Sequence, residues 1–334
     1  MAGLAAISPL TSGGQTDSPA EETKSGSLMR DYRDSIVLIN GKNGAGSGFI
    51  FTRAGRRFLV SNAHVFAGIK SPTFAPLDRS TLRFKPGPAL LAVGEDLMML
   101  ELQPGTNGIP LVENFEQTVH MNAPVVVYGN TSGEDVATAI EGRVVGIGTD
   151  RLEIDAGIEH GNSGSPIIHV PSGKAIGVVT YAKRDNLLSG EKKVRRFGYR
   201  LDTVKQWEPV DWTKFYAEAD ALKNMSDTTV EMKRAFLELS TMPQREKKAR
   251  QYSYETDALR EALDDFYSGI RRPASRDAVE RTADDLVENI RQVSRSHPAS
   301  LNPTFMYDYF RTKLNEQERD RAEIMKLFVK TLQK

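Results

Sequence analysis

The chain has 334 residues, of which 39% are hydrophobic and 26% charged, a composition typical of a globular protein long enough for two domains. Its 44 Lys and Arg residues balance 44 Asp and Glu residues, so charge gives no reason to expect nucleic acid or an anionic membrane as a partner. There is no cysteine, which excludes disulfides and thiolate catalysis, and no apolar run approaches the length of a membrane-spanning helix.

The first 30 residues are rich in small and polar side chains and are predicted to form a disordered N-terminal arm. The start of the chain lacks the basic region and the long apolar core of a signal peptide. Two explanations fit: a periplasmic or secreted protein whose leader was replaced by Met1, or a cytoplasmic protein that never had a leader. The sequence does not separate them, so the localisation stays open.

Short apolar runs alternate with turn residues from residue 31 to 207, without an intervening helical pattern. Val, Ile and Phe dominate these runs, which favours the strands of a sandwich or barrel. The predicted strands are 35–40, 48–52, 57–61, 82–84, 97–102, 124–128, 137–147, 151–154, 166–170, 175–181 and 196–201.

The pattern becomes helical in the region 211–334. A capping box at 228–231 predicts a helix start, and prolines divide the rest into about four or five amphipathic helices. Three series of apolar residues recur at helical spacing: Leu259, Leu263, Phe266 and Ile270; Val279, Ala283, Leu286, Ile290 and Val293; and Ile324, Leu327, Phe328 and Leu332. We therefore predict a helical domain whose apolar stripes form a bundle core.

Three residues far apart in the sequence form a candidate catalytic set. Ser163 lies in a turn between Gly161 and Gly164, His64 follows an apolar run, and Asp96 precedes one. A serine hydroxyl becomes a nucleophile when a base, held in one tautomer by an acid, takes its proton. Taken singly, each residue could instead be a core histidine, a turn aspartate or a loop serine, and Glu95 is a rival orienting acid.

The segments 46–51, 58–65, 96–102 and 155–166, in this order, resemble the motifs of trypsin-like serine proteases, in particular the HtrA/DegP-like bacterial peptidases. The resemblance covers residues 33–206. It implies two six-stranded Greek-key β-barrels of the chymotrypsin-like fold, with the active site between them. The expected fold class is thus multidomain, with an all-β protease domain (31–207) followed by an all-α domain (211–334).

The resemblance also implies a role for each residue. Ser163 is the nucleophile, His64 the general base and Asp96 the orienting acid, and the N–H groups of Gly161, Asn162 and Ser163 form the oxyanion hole. The substrate-binding residues are Gly157 and Ile158 at the base of the primary pocket, His160 at its rim, and Thr180, Tyr181 and Ala182 along its wall. No cofactor or metal is implied, and the remaining histidines, His120, His169 and His297, lack metal-ligand spacing.

Specificity is predicted from the pocket base. Gly157 supplies no carboxylate to bind Lys or Arg, so small or medium apolar residues are expected before the cut. Six basic residues surround a predicted hairpin loop: Lys183, Arg184, Lys192, Lys193, Arg195 and Arg196. They could form a patch that selects acidic substrates or binds a regulator. They could instead belong to a solvated loop, which is the commoner outcome for a run of charges.

The sequence therefore predicts a serine endopeptidase that acts on proteins or peptides. Two alternatives stay open: a catalytically silent scaffold that keeps the protease fold for binding, and a latent protease regulated by its helical domain. That domain could also mediate homo-oligomers or recruit a regulator.

Overall fold

The computed structural model describes residues 24–105, 108–186, 192–241, 304 and 306–332. Thirteen strands form in this part of the chain: β1 (Ile36–Gly41), β2 (Gly44–Arg53), β3 (Arg56–Ser61), β4 (Thr73–Pro76), β5 (Leu90–Ala92), β6 (Met98–Leu102), β7 (Pro124–Asn130), β8 (Ala137–Ile147), β9 (Arg151–Ile154), β10 (Pro166–His169), β11 (Lys174–Asn186), β12 (Lys192–Tyr199) and β13 (Trp207–Pro209).

These strands form two antiparallel units. Strands β7 to β12 close into a six-stranded barrel, which confirms one of the two predicted barrels. The other predicted barrel is not confirmed: its strands form a seven-stranded sheet in the order β13-β5-β6-β3-β2-β1-β4. The seventh strand, β13, comes from the chain after the barrel and pairs with β5, so that Trp207 lies opposite Ala92.

The strand predictions agree with the structure where apolar alternation is long. Three short strands, β4, β5 and β13, were not predicted, because three or four residues carry too little periodicity. The predicted strand 82–84 is reduced to an isolated bridge between Phe84 and Leu102.

Three short helices accompany the strands: α1 (Lys24–Asp31), α2 (Ala63–Gly68) and α3 (Phe115–Thr118). The first corrects the predicted disordered arm, because residues 24–30 are helical. Leu28 of α1 is buried in the core, and the Tyr128 hydroxyl donates to the Ser25 carbonyl oxygen. These contacts with the barrel order the segment; residues 1–23 lie outside the described residues.

Two long helices follow, α4 (Trp212–Thr241) and α5 (Asp308–Leu332). The capping box at 228–231 does not start a helix, since α4 runs through it. The start is set by Asp211, whose Oδ1 accepts the N–H groups of Thr213 and Lys214 at 2.8 and 3.1 Å. The last predicted apolar series falls within α5, and the other two lie outside the described residues. No described helix has the length and hydropathy needed to cross a membrane.

Helices α4 and α5 pack against the seven-stranded sheet. One hydrophobic cluster contains Phe215 and Leu222 of α4 and Phe310 of α5 together with Ile50 and Leu59 of the sheet, all at most 5% exposed. Within the described residues these helices share a core with the sheet, so the predicted separate helical domain is not confirmed. The described helices instead form a layer over the seven-stranded sheet, next to which His64 and Asp96 lie.

Candidate active site

His64 and Asp96 meet where two segments leave the seven-stranded sheet. His64 lies in the first turn of α2, directly after β3, and Asp96 lies between β5 and β6. N–H groups in the first turn of a helix have no partner within the helix, and the His64 N–H donates to Asp96 Oδ1 at 2.9 Å. His64 Nδ1 is 2.6 Å from Asp96 Oδ2. The two contacts fix the imidazole in position and in orientation.

Asn62 connects the same two segments from inside the protein. Its buried side chain donates from Nδ2 to the Asp96 carbonyl oxygen at 2.8 Å. The rival acid Glu95 makes no hydrogen bond to His64, and its buried Oε2 has no hydrogen-bond partner in the described part of the chain. The geometry therefore favours Asp96 over Glu95 as the partner of His64.

Thr180, on β11 of the barrel, links the acid to Ser163. Its Oγ1 donates to Asp96 Oδ2 at 3.1 Å, and its carbonyl oxygen accepts a hydrogen bond from Ser163 Oγ at 3.3 Å. The Ser163 carbonyl oxygen accepts the N–H of Ser47, on β2, at 2.8 Å. The structure thus brings His64, Asp96 and Ser163 to one junction between the β units. Among the described residues, Ser163 Oγ bonds to Thr180 and not to His64.

Two glycines hold the loop that carries Ser163. Gly161 and Gly164 have φ angles of +92° and +88°, which favour glycine. A Cβ on Gly161 would lie 1.9 Å from the Asn130 carbonyl oxygen, and a Cβ on Gly164 would lie 2.0 Å from that of Ser47. A side chain at Gly161 would therefore displace the loop from the barrel, and one at Gly164 would displace it from the seven-stranded sheet.

Two backbone N–H groups of this loop are unused. Within the described residues, neither the Gly161 nor the Ser163 N–H donates a hydrogen bond, the arrangement that an oxyanion hole requires. The Asn162 N–H, which was predicted to join them, donates to the Glu159 carbonyl oxygen at 3.2 Å. The Asn162 side chain braces the loop, because Oδ1 accepts the Glu159 N–H at 2.8 Å and Nδ2 donates to Thr131 Oγ1 at 3.2 Å.

The predicted substrate-binding residues surround this loop. Ile158 and Thr180 are buried, whereas Gly157, His160, Tyr181 and Ala182 are exposed. A Cβ on Gly157 would meet no atom within 4 Å, so there is open space beside the predicted pocket base.

Helix α5 contributes residues that the sequence did not assign to the site. Tyr309 is 6% exposed and belongs to the core that contains Ala63 and Met98, close in sequence to His64 and Asp96. Its own burial and the nearby charge of Asp96 raise the pKa of the Tyr309 hydroxyl well above its usual value. An apolar helical stripe predicts burial but not the surface that provides it, so this neighbour could not be found from the sequence.

Three influences set the pKa of His64. Burial lowers it, but the charge and the hydrogen bond of Asp96 outweigh burial, so that the pKa lies above the usual 6.5. The positive charge of Lys313, on the exposed face of α5, lowers it. The His64 side chain is 39% exposed, so α5 flanks the imidazole without sealing it from solvent.

The stretch that contains His64, Asp96 and Ser163 is similar to a known domain family. Residues 46–178 match the family model of the trypsin-like peptidase domain. This part of the chain is therefore similar to the trypsin-like peptidase domain.

Two of the similar proteins are named as HtrA-type proteases and one as a serine endoprotease. The chain is 26% identical over 157 residues to the serine protease Do-like HtrA of Bacillus subtilis, a match that covers 41% of this chain and 33% of that protein. Among solved structures, a serine endoprotease from Yersinia pestis matches 55% of this chain and 64% of its own, with 22% identity and a TM-score of 0.43. The HtrA-type protease AlgW, solved with a tripeptide, matches 54% of this chain and 60% of its own, with 20% identity and a TM-score of 0.41.

Proposed function

We propose that the chain is a serine endopeptidase that hydrolyses peptide bonds with Ser163, His64 and Asp96. The observation that carries this proposal is the 2.6 Å contact between His64 Nδ1 and Asp96 Oδ2. Thr180 connects this pair to Ser163, because it forms one hydrogen bond with Asp96 and one with Ser163. The N–H groups of Gly161 and Ser163, which have no acceptor in the described part of the chain, support an oxyanion hole with two donors rather than three.

The proposed reaction begins with rotation of Ser163 Oγ from Thr180 towards His64 Nε2. Catalytic hydrogen bonds are often formed only when substrate binds. His64 takes the hydroxyl proton as Oγ attacks the carbonyl carbon, and the oxyanion is held by Gly161 and Ser163 N–H. Collapse of this intermediate breaks the C–N bond, and the proton on His64 passes to the amine. Water then hydrolyses the acyl-enzyme by the same route, with Asp96 holding the imidazole throughout.

A fluorophosphonate probe on the full chain tests this proposal. An assembled triad should give labelling at Ser163, because the reagent requires an activated serine. His64→Ala should lose the label, since no base then takes the proton. Absence of labelling at Ser163 in the folded chain, or equal labelling of His64→Ala, would contradict an assembled triad and leave the catalytically silent scaffold.

The latent protease is a second candidate, supported by the Ser163 hydroxyl bonded to Thr180 and by α5 beside the Asp96 segment. It would label slowly in the full chain and faster once the helical segment is displaced. The 39% exposure of the His64 side chain favours the active enzyme instead, because a substrate has access to the imidazole. A homo-oligomer or a regulator bound through the helical segment stays a prediction.

We propose proteins or peptides as the substrates. The open space at Gly157 is compatible with the expected small or medium apolar residue before the cut. A basic side chain beside the same pocket favours a different residue at this position. The experiment that tests that side chain also tests the preference for an apolar residue.

We expect kcat/KM to rise with pH through a titration above 6.5, because only neutral His64 accepts the serine proton and Asp96 raises its pKa. Lys313→Met should move this acid limb to higher pH, because it removes a cation that lowers the pKa. The matched control is Arg319→Met, which removes a charge from the exposed surface of α5 farther along the helix. The measurement is the pH profile at low ionic strength, and equal profiles for both variants would refute the role of Lys313.

A further inference from the structure

Arg196 lies beside both sides of the predicted primary pocket. On β12 it is paired with Ala182 of the pocket wall on one neighbouring strand and with Ile154 of β9 on the other. Its Nε donates to the carbonyl oxygen of Ile158, at the pocket base, at 3.4 Å. Arg196 therefore reaches the pocket wall through its backbone and the pocket base through its side chain, an arrangement that spacing along the sequence does not reveal.

The neighbouring arginine faces the other way. Arg195 pairs with Glu153 at 2.6 Å and lies over the Phe197 ring, 5.0 Å from its centroid. The Phe197 ring in turn lies 5.1 Å from that of Tyr181. Successive side chains of a strand point to opposite faces, so Arg196 points away from this layer.

The Arg196 guanidinium has donors to spare. Among the described residues it makes one hydrogen bond, through Nε, and no carboxylate forms an ion pair with it. Arg196 is half-buried, so solvent reaches it only in part. A guanidinium presents its N–H groups as a planar fork that fits a carboxylate in a bidentate way. The site thus offers a cation, open space at Gly157 and, among the described residues, no carboxylate already paired with the guanidinium.

We propose that Arg196 is a specificity-determining residue that selects Asp or Glu immediately before the scissile bond. The inference rests on the proposed function and names the substrate class of that site. It separates Arg196 from Arg195, which pairs with Glu153, and from the remaining basic residues of the group, for which solvation stays the expectation. The substrate carboxylate binds the free Nη groups, while the substrate backbone aligns along Thr180 to Ala182.

Peptides that differ only in the residue before the cut test this inference. The full chain is expected to cleave after Glu or Asp with a kcat/KM at least about tenfold above that for isosteric Gln or Asn, because unpaired buried polar groups penalise the neutral analogue. Arg196→Gln should bring this ratio close to one, and Arg196→Glu should reverse the preference towards Lys. Arg195→Gln, on the opposite face, should keep the wild-type ratio. All variants are compared for thermal unfolding.

Two results would overturn the proposal: a wild-type preference for Leu over Glu, which restores the apolar pocket, or an acidic preference that survives Arg196→Gln. A binding measurement separates this inference from the reaction itself. Peptides ending in Glu or Gln are titrated calorimetrically into Ser163→Ala and into Ser163→Ala combined with Arg196→Gln. Tighter binding of the Glu peptide only when Arg196 is present supports the pocket even if fluorophosphonate labelling fails. Labelling at Ser163 without this difference refutes the pocket alone.

Discussion

Replacing Ser163 by alanine is expected to lower kcat for peptide hydrolysis by about 10⁴- to 10⁶-fold and to leave the fold intact. The reaction loses its nucleophile, whereas the backbone contacts that hold the loop, such as the Ser47 N–H to the Ser163 carbonyl oxygen, do not involve the hydroxyl. The measurements are steady-state hydrolysis of a peptide substrate, fluorophosphonate labelling and the unfolding temperature.

Ser165→Ala is the matched control. The Ser165 hydroxyl is buried, has no hydrogen-bond partner in the described part of the chain and lies two residues from the nucleophile. Its removal should leave hydrolysis near the wild-type rate and stability unchanged or slightly higher, because an unsatisfied buried hydroxyl is lost. Equal activity of wild type and Ser163→Ala would rule out Ser163 as the nucleophile.

Removing residues 211–334 is expected to abolish labelling rather than to release activity. The described parts of α4 and α5 pack with α2 against one face of the seven-stranded sheet. Loss of α4 and α5 would expose this apolar surface. It would also remove Tyr309 from its place near Asp96. A chain ending at Val210 should aggregate or unfold at a lower temperature than the full chain, as measured by light scattering and circular dichroism.

A milder substitution tests the same contact without truncation. Phe215 is fully buried and its ring centroid lies 4.9 Å from that of Phe310. Phe215→Ala should lower the free energy of unfolding by about 3–5 kcal/mol, while the exposed Val230→Ala should change it by less than about 0.5 kcal/mol. A soluble truncated chain that labels faster than the full chain would instead establish the latent protease.

The candidate site was more predictable than the layer around it. A glycine-flanked serine and a histidine and an aspartate beside apolar strands are local patterns, and the three residues lie at one junction. Their contacts are not local: Thr180 was predicted as pocket wall, yet it also bonds to Asp96 from the other β unit. The Asn162 N–H was predicted to join the oxyanion hole, but it donates to the Glu159 carbonyl oxygen, a contact that spacing alone does not show.

The misassigned elements have related causes. A threonine with a glutamate three positions later predicts a helix start, but the capping aspartate at 211 lies 17 residues earlier and α4 continues through the capping box. Helical stripes predict that a face is buried, not which surface buries it. Charge runs predict solvation, and Arg196 departs from that expectation only because β12 places it against Ile158.

The pairing of β13 with β5 has a consequence for biosynthesis. The ribosome releases the amino-terminal part of a chain first, yet the sheet next to His64 and Asp96 is completed by a strand at 207–209 and covered by helices that reach Leu314. While the chain is still being translated, this half lacks its final strand and its covering layer. We therefore expect the imidazole and its carboxylate to become ordered only after residues 207–314 have been synthesised.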